Sequence, residues 1–320
     1  MLKYLVILLD NTSTSYCHYE NEKSNRKLIT LENLKAGILF AMKENLMIQF
    51  VYPDYELPQE YKDAIHTIDH SKIVPVGSAE NGDVVVLNKW PDFDGYTFDE
   101  GTAYVLRTNK DDFFKNHLLI KDALSKITRL NVVLTDVETF TDADFDIYKQ
   151  SLQTLSKEVE QLYVSGKTLQ LNLLTDRMML TAMNNCNAGW ENITLAPDGN
   201  FYVCPAFYQA DTKMTIENKA PSIGNLQNGL DIKNSQLYRL SHAPLCRKCE
   251  AYQCKRCVWL NRKTTLEVNT PSREQCVMAH LERNASRELL INIRKYGMFM
   301  PEVEMEEINY LDPFDVRKEW

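Results

Sequence analysis

Residues 246–257 read CRKCEAYQCKRC, and these four cysteines in twelve residues set how the second half of the chain is built. Their spacing is Cys246-x2-Cys249-x4-Cys254-x2-Cys257. A Cys-x-x-Cys turn lets two thiolates face one point, so each pair suits a metal centre. Three more cysteines flank the run, Cys186 and Cys204 before it and Cys276 after it. Between the first two, Pro197-Asp198-Gly199-Asn200 is a turn signal. It predicts a hairpin joining Ile193–Leu195 to Phe201–Val203, which would deliver Cys204 beside Cys186.

Before Cys186 the chain holds a single cysteine, Cys17. With 320 residues it is long enough to bury a core without cross-links. The N-terminal MLKYLVILLDN has a short apolar run before Asp10 and no small-residue cleavage site, which suits a buried strand rather than a signal peptide. No segment approaches the roughly 20 apolar residues that span a bilayer. These features predict a reducing cytoplasm, where clustered cysteines bind metal rather than one another. A net charge of −8 argues against nucleic-acid binding, and no membrane partner is expected. Around the central cysteines, however, lie Arg247, Lys248, Lys255, Arg256, Arg262 and Lys263. Positive surroundings favour thiolates, and a thiolate-ligated iron–sulfur cluster is itself an anion.

The first half alternates strand-like runs with helical patterns. Strands are predicted over Tyr4–Leu9, Met47–Tyr52, Ile73–Val76, Val84–Leu87, Ala103–Thr108, Leu130–Thr135 and Leu169–Leu174. Helices are predicted after an N-cap at Thr30, over Tyr61–Ile68, over Asp111–Ile127 and over Asp142–Val164. Such alternation predicts an α/β fold, either a partial (β/α)6-type barrel or an open parallel sheet. Residues 1–180 form this α/β domain, 181–282 a small cysteine-rich metal domain, and 283–320 a charged, partly helical arm. That arm, with Glu302, Glu304, Glu306 and Glu307, has a plain reading as a solvated packing segment.

Several smaller candidates remain. Seven cysteines divide into four plus three, and His280 or His242 could complete the smaller set, although each has a plain structural reading. Cys17 and His18 are weak candidates for a nucleophile and base, with Asp10 upstream. Neighbours on an extended segment face opposite ways, and an incidental loop cysteine is the plainer reading. Asp136, Glu138, Asp142 and Asp144 follow a strand at the end where α/β proteins place their sites. Loop and helix-cap carboxylates explain them more simply. Trp190 and Tyr252 could shield a cluster from solvent or merely pack.

The cysteine pattern, together with Ser222-Ile223-Gly224-Asn225-Leu226 and with Tyr238 and Leu240 ahead of the run, resembles the SPASM domain. That domain follows the catalytic barrel of many radical SAM peptide-modifying enzymes. Its usual middle spacing is C-x2-C-x5-C-x3-C, and here both later intervals are one residue shorter. The resemblance implies two auxiliary 4Fe–4S clusters. Cys186, Cys204 and Cys257 would hold the first, with one iron open to a thiolate of a substrate peptide. Cys246, Cys249, Cys254 and Cys276 would hold the second. Zinc is the rival metal, since it accepts the same thiolates.

Radical SAM enzymes also carry CxxxCxxC after the first strand. Here the loop Ser13–Glu22 holds one cysteine, and Phe50-Val51-Tyr52-Pro53-Asp54 stands where a glycine-rich segment is usual. The resemblance therefore implies a radical-SAM-like domain without its cleavage centre, and S-adenosylmethionine is not expected as a cofactor. With SYCHYENEK (15–23) and ENLMIQFVYPD (44–54), the whole arrangement resembles the CXXX repeat peptide maturases. That implies a ribosomally made precursor peptide and an active radical SAM enzyme as partners. Two other readings stand beside it: a zinc-stabilised peptide-binding scaffold, and a peptide-modifying enzyme using Cys17 and His18.

Overall fold

The computed structural model describes residues 2–91, 95–210 and 222–315. Its first strand, β1 (Tyr4–Leu8), is the apolar run, buried from Leu5 onward. Helix α1 (Leu31–Glu44) starts where the Thr30 hydroxyl accepts the Asn33 amide. It stops at Asn45, which is left-handed and returns its amide to the last carbonyls. The chain continues through β2 (Met47–Val51), α2 (Gln59–Ile65), β3 (His70–Pro75), β4 (Val84–Leu87) and β5 (Ala103–Thr108). Next come α3 (Lys110–Asn116), α4 (Ile120–Lys126), β6 (Arg129–Leu134), α5 (Asp142–Val164) and β7 (Gln170–Leu171). The remainder carries β8 (Asn192–Leu195), β9 (Phe201–Tyr202), α6 (Ala206–Gln209), β10 (Gly224–Asn225), β11 (Gly229–Leu230), α7 (Val258–Thr265) and α8 (Arg273–Ile293).

The helix expected over 111–127 is two helices, because Asn116 at φ −116° leaves helical geometry and a 3-10 turn follows. The strand expected over 169–174 shrinks to two residues. Thr175 explains this: its hydroxyl takes the Leu171 amide at 2.7 Å, and its own amide takes the Leu171 carbonyl at 2.8 Å. Those groups can then no longer extend a ladder. At the other end, α8 is continuous across residue 283, where the arm was expected to begin. Ser272 and Gln275 form a capping box that starts it. Residues 316–320 of that arm lie outside the described residues.

The chain divides into two compact units. Unit 1 comprises residues 1–86, 186–244 and 257–269; unit 2 comprises 87–185, 245–256 and 270–320. In unit 1 the strand order is β4-β3-β2-β1-β8-β9. Neighbours run parallel except for the β8–β9 hairpin. Leu5 pairs with Ile48 and Ile193, and Ile7 with Phe50 and Leu195, so a fully buried apolar row crosses three strands. Gly37 lets α1 lie close on this row, since a Cβ there would stand 2.4 Å from the Leu195 side chain. In unit 2 the parallel order is β5-β6-β7. Helix α5 packs on α8, and its stripe Leu152, Leu155 and Val159 is buried. Among the described residues, no helix is long and apolar enough to cross a membrane.

Truncating that stripe tests the packing. Leu155→Ala should lower stability to denaturant by about 2–5 kcal/mol. Ile147→Ala, on the half-exposed face of the same helix, should stay within about 0.5 kcal/mol of the parent.

Candidate metal centres

The eight thiols fall into two groups, and each group belongs to one unit. No disulfide joins any two of them. In unit 2, Cys246, Cys249, Cys254 and Cys276 line one cavity of about 40 Å³. The local chain explains their convergence. The Cys249 amide bonds to the Cys246 carbonyl at 3.1 Å, which closes the first Cys-x-x-Cys into a tight turn. Gln253 is left-handed, at φ 56°, and turns the chain back to place Cys254. Helix α8 supplies Cys276 in its first turn. Amides of Ala251 and Arg256 point at the sulfurs of Cys249 and Cys254, at 3.4 and 3.3 Å. Asn185 adds a side-chain contact to Cys254 at 3.4 Å. Donors aimed at sulfur are the means by which a protein stabilises thiolates and tunes a cluster held by them.

His280 belongs to this group rather than to the smaller one. Its Nε2 lies 3.7 Å from Cys249 Sγ, and its Nδ1 lies 2.8 Å from the Leu311 carbonyl. Burial lowers its pKa and favours the neutral ring.

A buried carboxylate fixes the cysteine loop to α8. Glu282 is fully buried and pairs with both Arg177 and Lys255. The Tyr148 hydroxyl donates to it at 2.5 Å. Arg177 also donates to the carbonyls of Asn172, Leu173 and Gln253 at 2.8–3.1 Å. Gln275 holds the Lys255 carbonyl at 2.6 Å, and Arg283 holds the Glu250 carbonyl at 3.1 Å. The segment from Glu250 to Lys255, which carries Cys254, is thus tied at several points to the helix that carries Cys276. Burial pulls the Glu282 carboxyl upward, but Lys255 and Arg177 more than offset that and hold it below the usual range.

The basic residues of the sequence divide accordingly. Lys255 serves Glu282, Arg256 reaches the Cys246 thiol, and Arg247 and Lys248 are exposed.

In unit 1, Cys186, Cys204 and Cys257 come from three separate turns. Cys186 precedes a turn through left-handed Asn187 and Gly189, closed by the Asn192 side chain on the Cys186 carbonyl. Gly189 cannot gain a Cβ there, since one would meet the Tyr238 ring at 2.7 Å. The β8–β9 hairpin turns at Pro197–Asn200, with Gly199 at φ 80°, and Cys204 follows β9. The β10–β11 hairpin continues the edge: Ile223 donates to Phe201 at 2.7 Å and Leu226 to Gly199 at 3.2 Å. Cys257 is the residue before α7, and Trp259 of that helix meets Phe207 edge-on at 5.4 Å. Burial pushes the Cys204 thiol well up, and the neighbouring Cys257, Cys186 and Cys17 push it further.

Cys17 and His18 lie half-buried in the loop after β1, also in unit 1.

In unit 2 burial, and then the neighbouring thiols, push Cys246 up to about 12 and Cys249 and Cys276 upward. Crowded thiols of this kind stay protonated in the absence of a cation, and a metal inverts that preference. Two all-sulfur donor sets therefore fit a thiophilic centre, either an iron–sulfur cluster or zinc.

The other candidates are engaged in local hydrogen bonds, ion pairs and ring contacts. Asp10 accepts from the Thr12 amide and hydroxyl at 2.8 and 2.7 Å. Asp136 accepts the Lys110 amide, Asp144 completes the α5 capping box, and Asp142 pairs with Arg273 at 2.7 Å. Arg239 stacks on Trp190 at 3.6 Å. His242 is exposed, its ring against Ser241.

Residues 186–258 match the family model of the SPASM domain, an iron–sulfur cluster-binding domain. No curated protein matches the chain. Among solved structures, the chain is similar to hexahistidine-tagged anSMEcpe with bound AdoMet, at 12% identity and a TM-score of 0.59, over 93% of this chain and 96% of that one. It is also similar to native anSMEcpe with bound AdoMet and Cp18Cys peptide. There the identity is 13% and the TM-score 0.61, over 92% of this chain and 99% of that one. At such identity the likeness is one of fold alone.

The Glu282 network gives the prediction for this site. Glu282→Ala strands two buried cations and should cost about 3–5 kcal/mol of stability. The parent should lose the Glu282 contribution only as pH falls below the ordinary glutamate range, because its folded pKa is depressed. Denaturant midpoints measured from neutral to acidic pH should converge for the two proteins at low pH.

Proposed function

We propose that the chain is a component of a peptide-modifying system, acting as a radical-SAM-like subunit that holds two iron–sulfur clusters but does not itself cleave S-adenosylmethionine. The observation that carries this reading is the contrast between the two ends of the molecule's chemistry. The second half gathers thiols into two groups, whereas the loop after β1 carries one cysteine.

With C-x3-C-x2-C spacing, Cys17 could be the first, second or third ligand. The companions would be Asn21 and Ser24, Ser13 and Glu20, or Asp10 and Thr14. None is a thiol. Two of these residues instead brace the loop: Ser13 donates to the Val51 carbonyl at 2.7 Å, and Asn21 to the carbonyls of Asn11 and Ser13 at 2.8 and 3.1 Å. The loop is organised by hydrogen bonds where a cleavage cluster would organise it by sulfur.

The partner in this reading is a ribosomally made precursor peptide carrying Cys-x-x-x repeats, presented to an active radical SAM enzyme. The chain's likeness to anSMEcpe, solved with a bound peptide, supports a peptide-binding role. Zinc is the competing metal. A zinc ion needs thiolates drawn to roughly 2.3 Å around one point.

Anaerobic purification tests the reading. The chain should be brown, carry about eight iron and eight sulfide per molecule, and yield no 5′-deoxyadenosine from S-adenosylmethionine and a strong reductant. Stoichiometric zinc without sulfide would support the scaffold reading instead. Reductive cleavage by the isolated chain would contradict the proposed division of labour.

A further inference from the structure

The loop after β1 is held in place by several buried hydrogen bonds. Both of its limbs, before and after Cys17, are fastened to helix α6. Gln209 donates to the Ser13 carbonyl at 2.7 Å and to the Asn11 carbonyl at 3.3 Å. The same side chain accepts the Tyr19 hydroxyl at 2.9 Å, and its carbonyl accepts the Glu22 amide at 2.9 Å. The Tyr208 hydroxyl bonds to Asn11. Gln209 is 1% exposed, so these bonds are made in a dry environment where an unmet polar group is costly.

Helix α6 begins two residues after Cys204. Asn21 closes the loop across its base, on the carbonyls of Asn11 and Ser13. The result is a short ring of chain, clamped at the Cys204–α6 corner, with Cys17 between its fastened limbs.

Resting on the reading of residues 186–258 as an iron–sulfur-binding region, we propose that Cys17 is the fourth thiolate of the unit 1 centre, beside Cys186, Cys204 and Cys257. A 4Fe–4S cluster takes one external ligand per iron, and four cysteines complete it. On ligation the Cys17 thiol gives its proton to solvent and its sulfur to the iron. The centre is then closed: no iron remains to accept a thiolate from an incoming peptide. The one cysteine of the N-terminal half thereby serves the cysteine-rich region and not a cleavage site. This replaces both the open iron implied by the sequence resemblance and the use of Cys17 as a nucleophile.

The test uses the full chain, reconstituted anaerobically, as wild type, Cys17→Ala and Cys204→Ala. Mild oxidation of wild type should leave its clusters intact. In Cys17→Ala it should release about one iron of the four in that centre and produce a 3Fe–4S electron paramagnetic resonance signal. Added 2-mercaptoethanol should perturb the reduced Cys17→Ala spectrum and leave wild type unchanged. A second measurement does not depend on a variant. Iodoacetamide should label Cys17 only after the clusters have been removed by chelator, as read by mass spectrometry of its peptide.

A wild-type spectrum that already responds to thiol, or Cys17 labelled equally with clusters present, would overturn the proposal. The underlying reading fails in a different way: wild type would take up no iron and sulfide at all, or Cys204→Ala would lose none. Either result removes the proposal with it.

Discussion

Glu282 is a fully buried carboxylate that faces two buried cations, Arg177 and Lys255, and much of the cysteine-rich architecture in unit 2 hangs from it. A buried ion triad stabilises only when every partner is present and hydrogen-bonded. Here the Tyr148 hydroxyl also donates to the carboxylate, while Nη1 and Nη2 of Arg177 donate to backbone carbonyls as well. One of those carbonyls is that of Gln253, next to Cys254, and Lys255 follows on the other side. The helix bearing Glu282 also bears Cys276. The same interaction that satisfies a charge therefore sets the distance between two halves of a donor set. Unlike a metal, it does so before any cofactor arrives.

Much of the frame was legible in the sequence. The apolar run that became β1, the Thr30 cap of α1 and the span of α5 all rest on local signals, which tertiary packing reinforced. The Pro197–Asn200 turn was equally plain, because its type demands a left-handed residue that Gly199 supplies. Failures came where side chains compete with the backbone. Thr175 ended β7 early, and departure of Asn116 from helical geometry split a helix in two. The capping box at Ser272 and Gln275 was a readable sign of α8 that cysteine spacing overshadowed.

The site was legible in a different degree. Spacing pointed to thiol pairs, since a turn of two intervening residues is a local device. It could not give the position of Cys17. That depends on Gln209, almost two hundred residues away, and on bonds to backbone carbonyls, which any sequence possesses. The basic residues near the cysteines illustrate the same limit. Charge composition suggested a positive field around thiolates, yet Lys255 is committed to Glu282, and it is Arg256 that reaches a thiol.

In the proposed reading, the two thiol groups hold two separate iron–sulfur centres. Iron and sulfide counts on Cys204→Ala, Cys276→Ala and the double variant, prepared anaerobically, test it most directly. Each single variant should lose about half of the iron, from spectroscopically different clusters, and the double variant nearly all of it. Loss of all iron from either single variant, or of none from both, would contradict two independent centres.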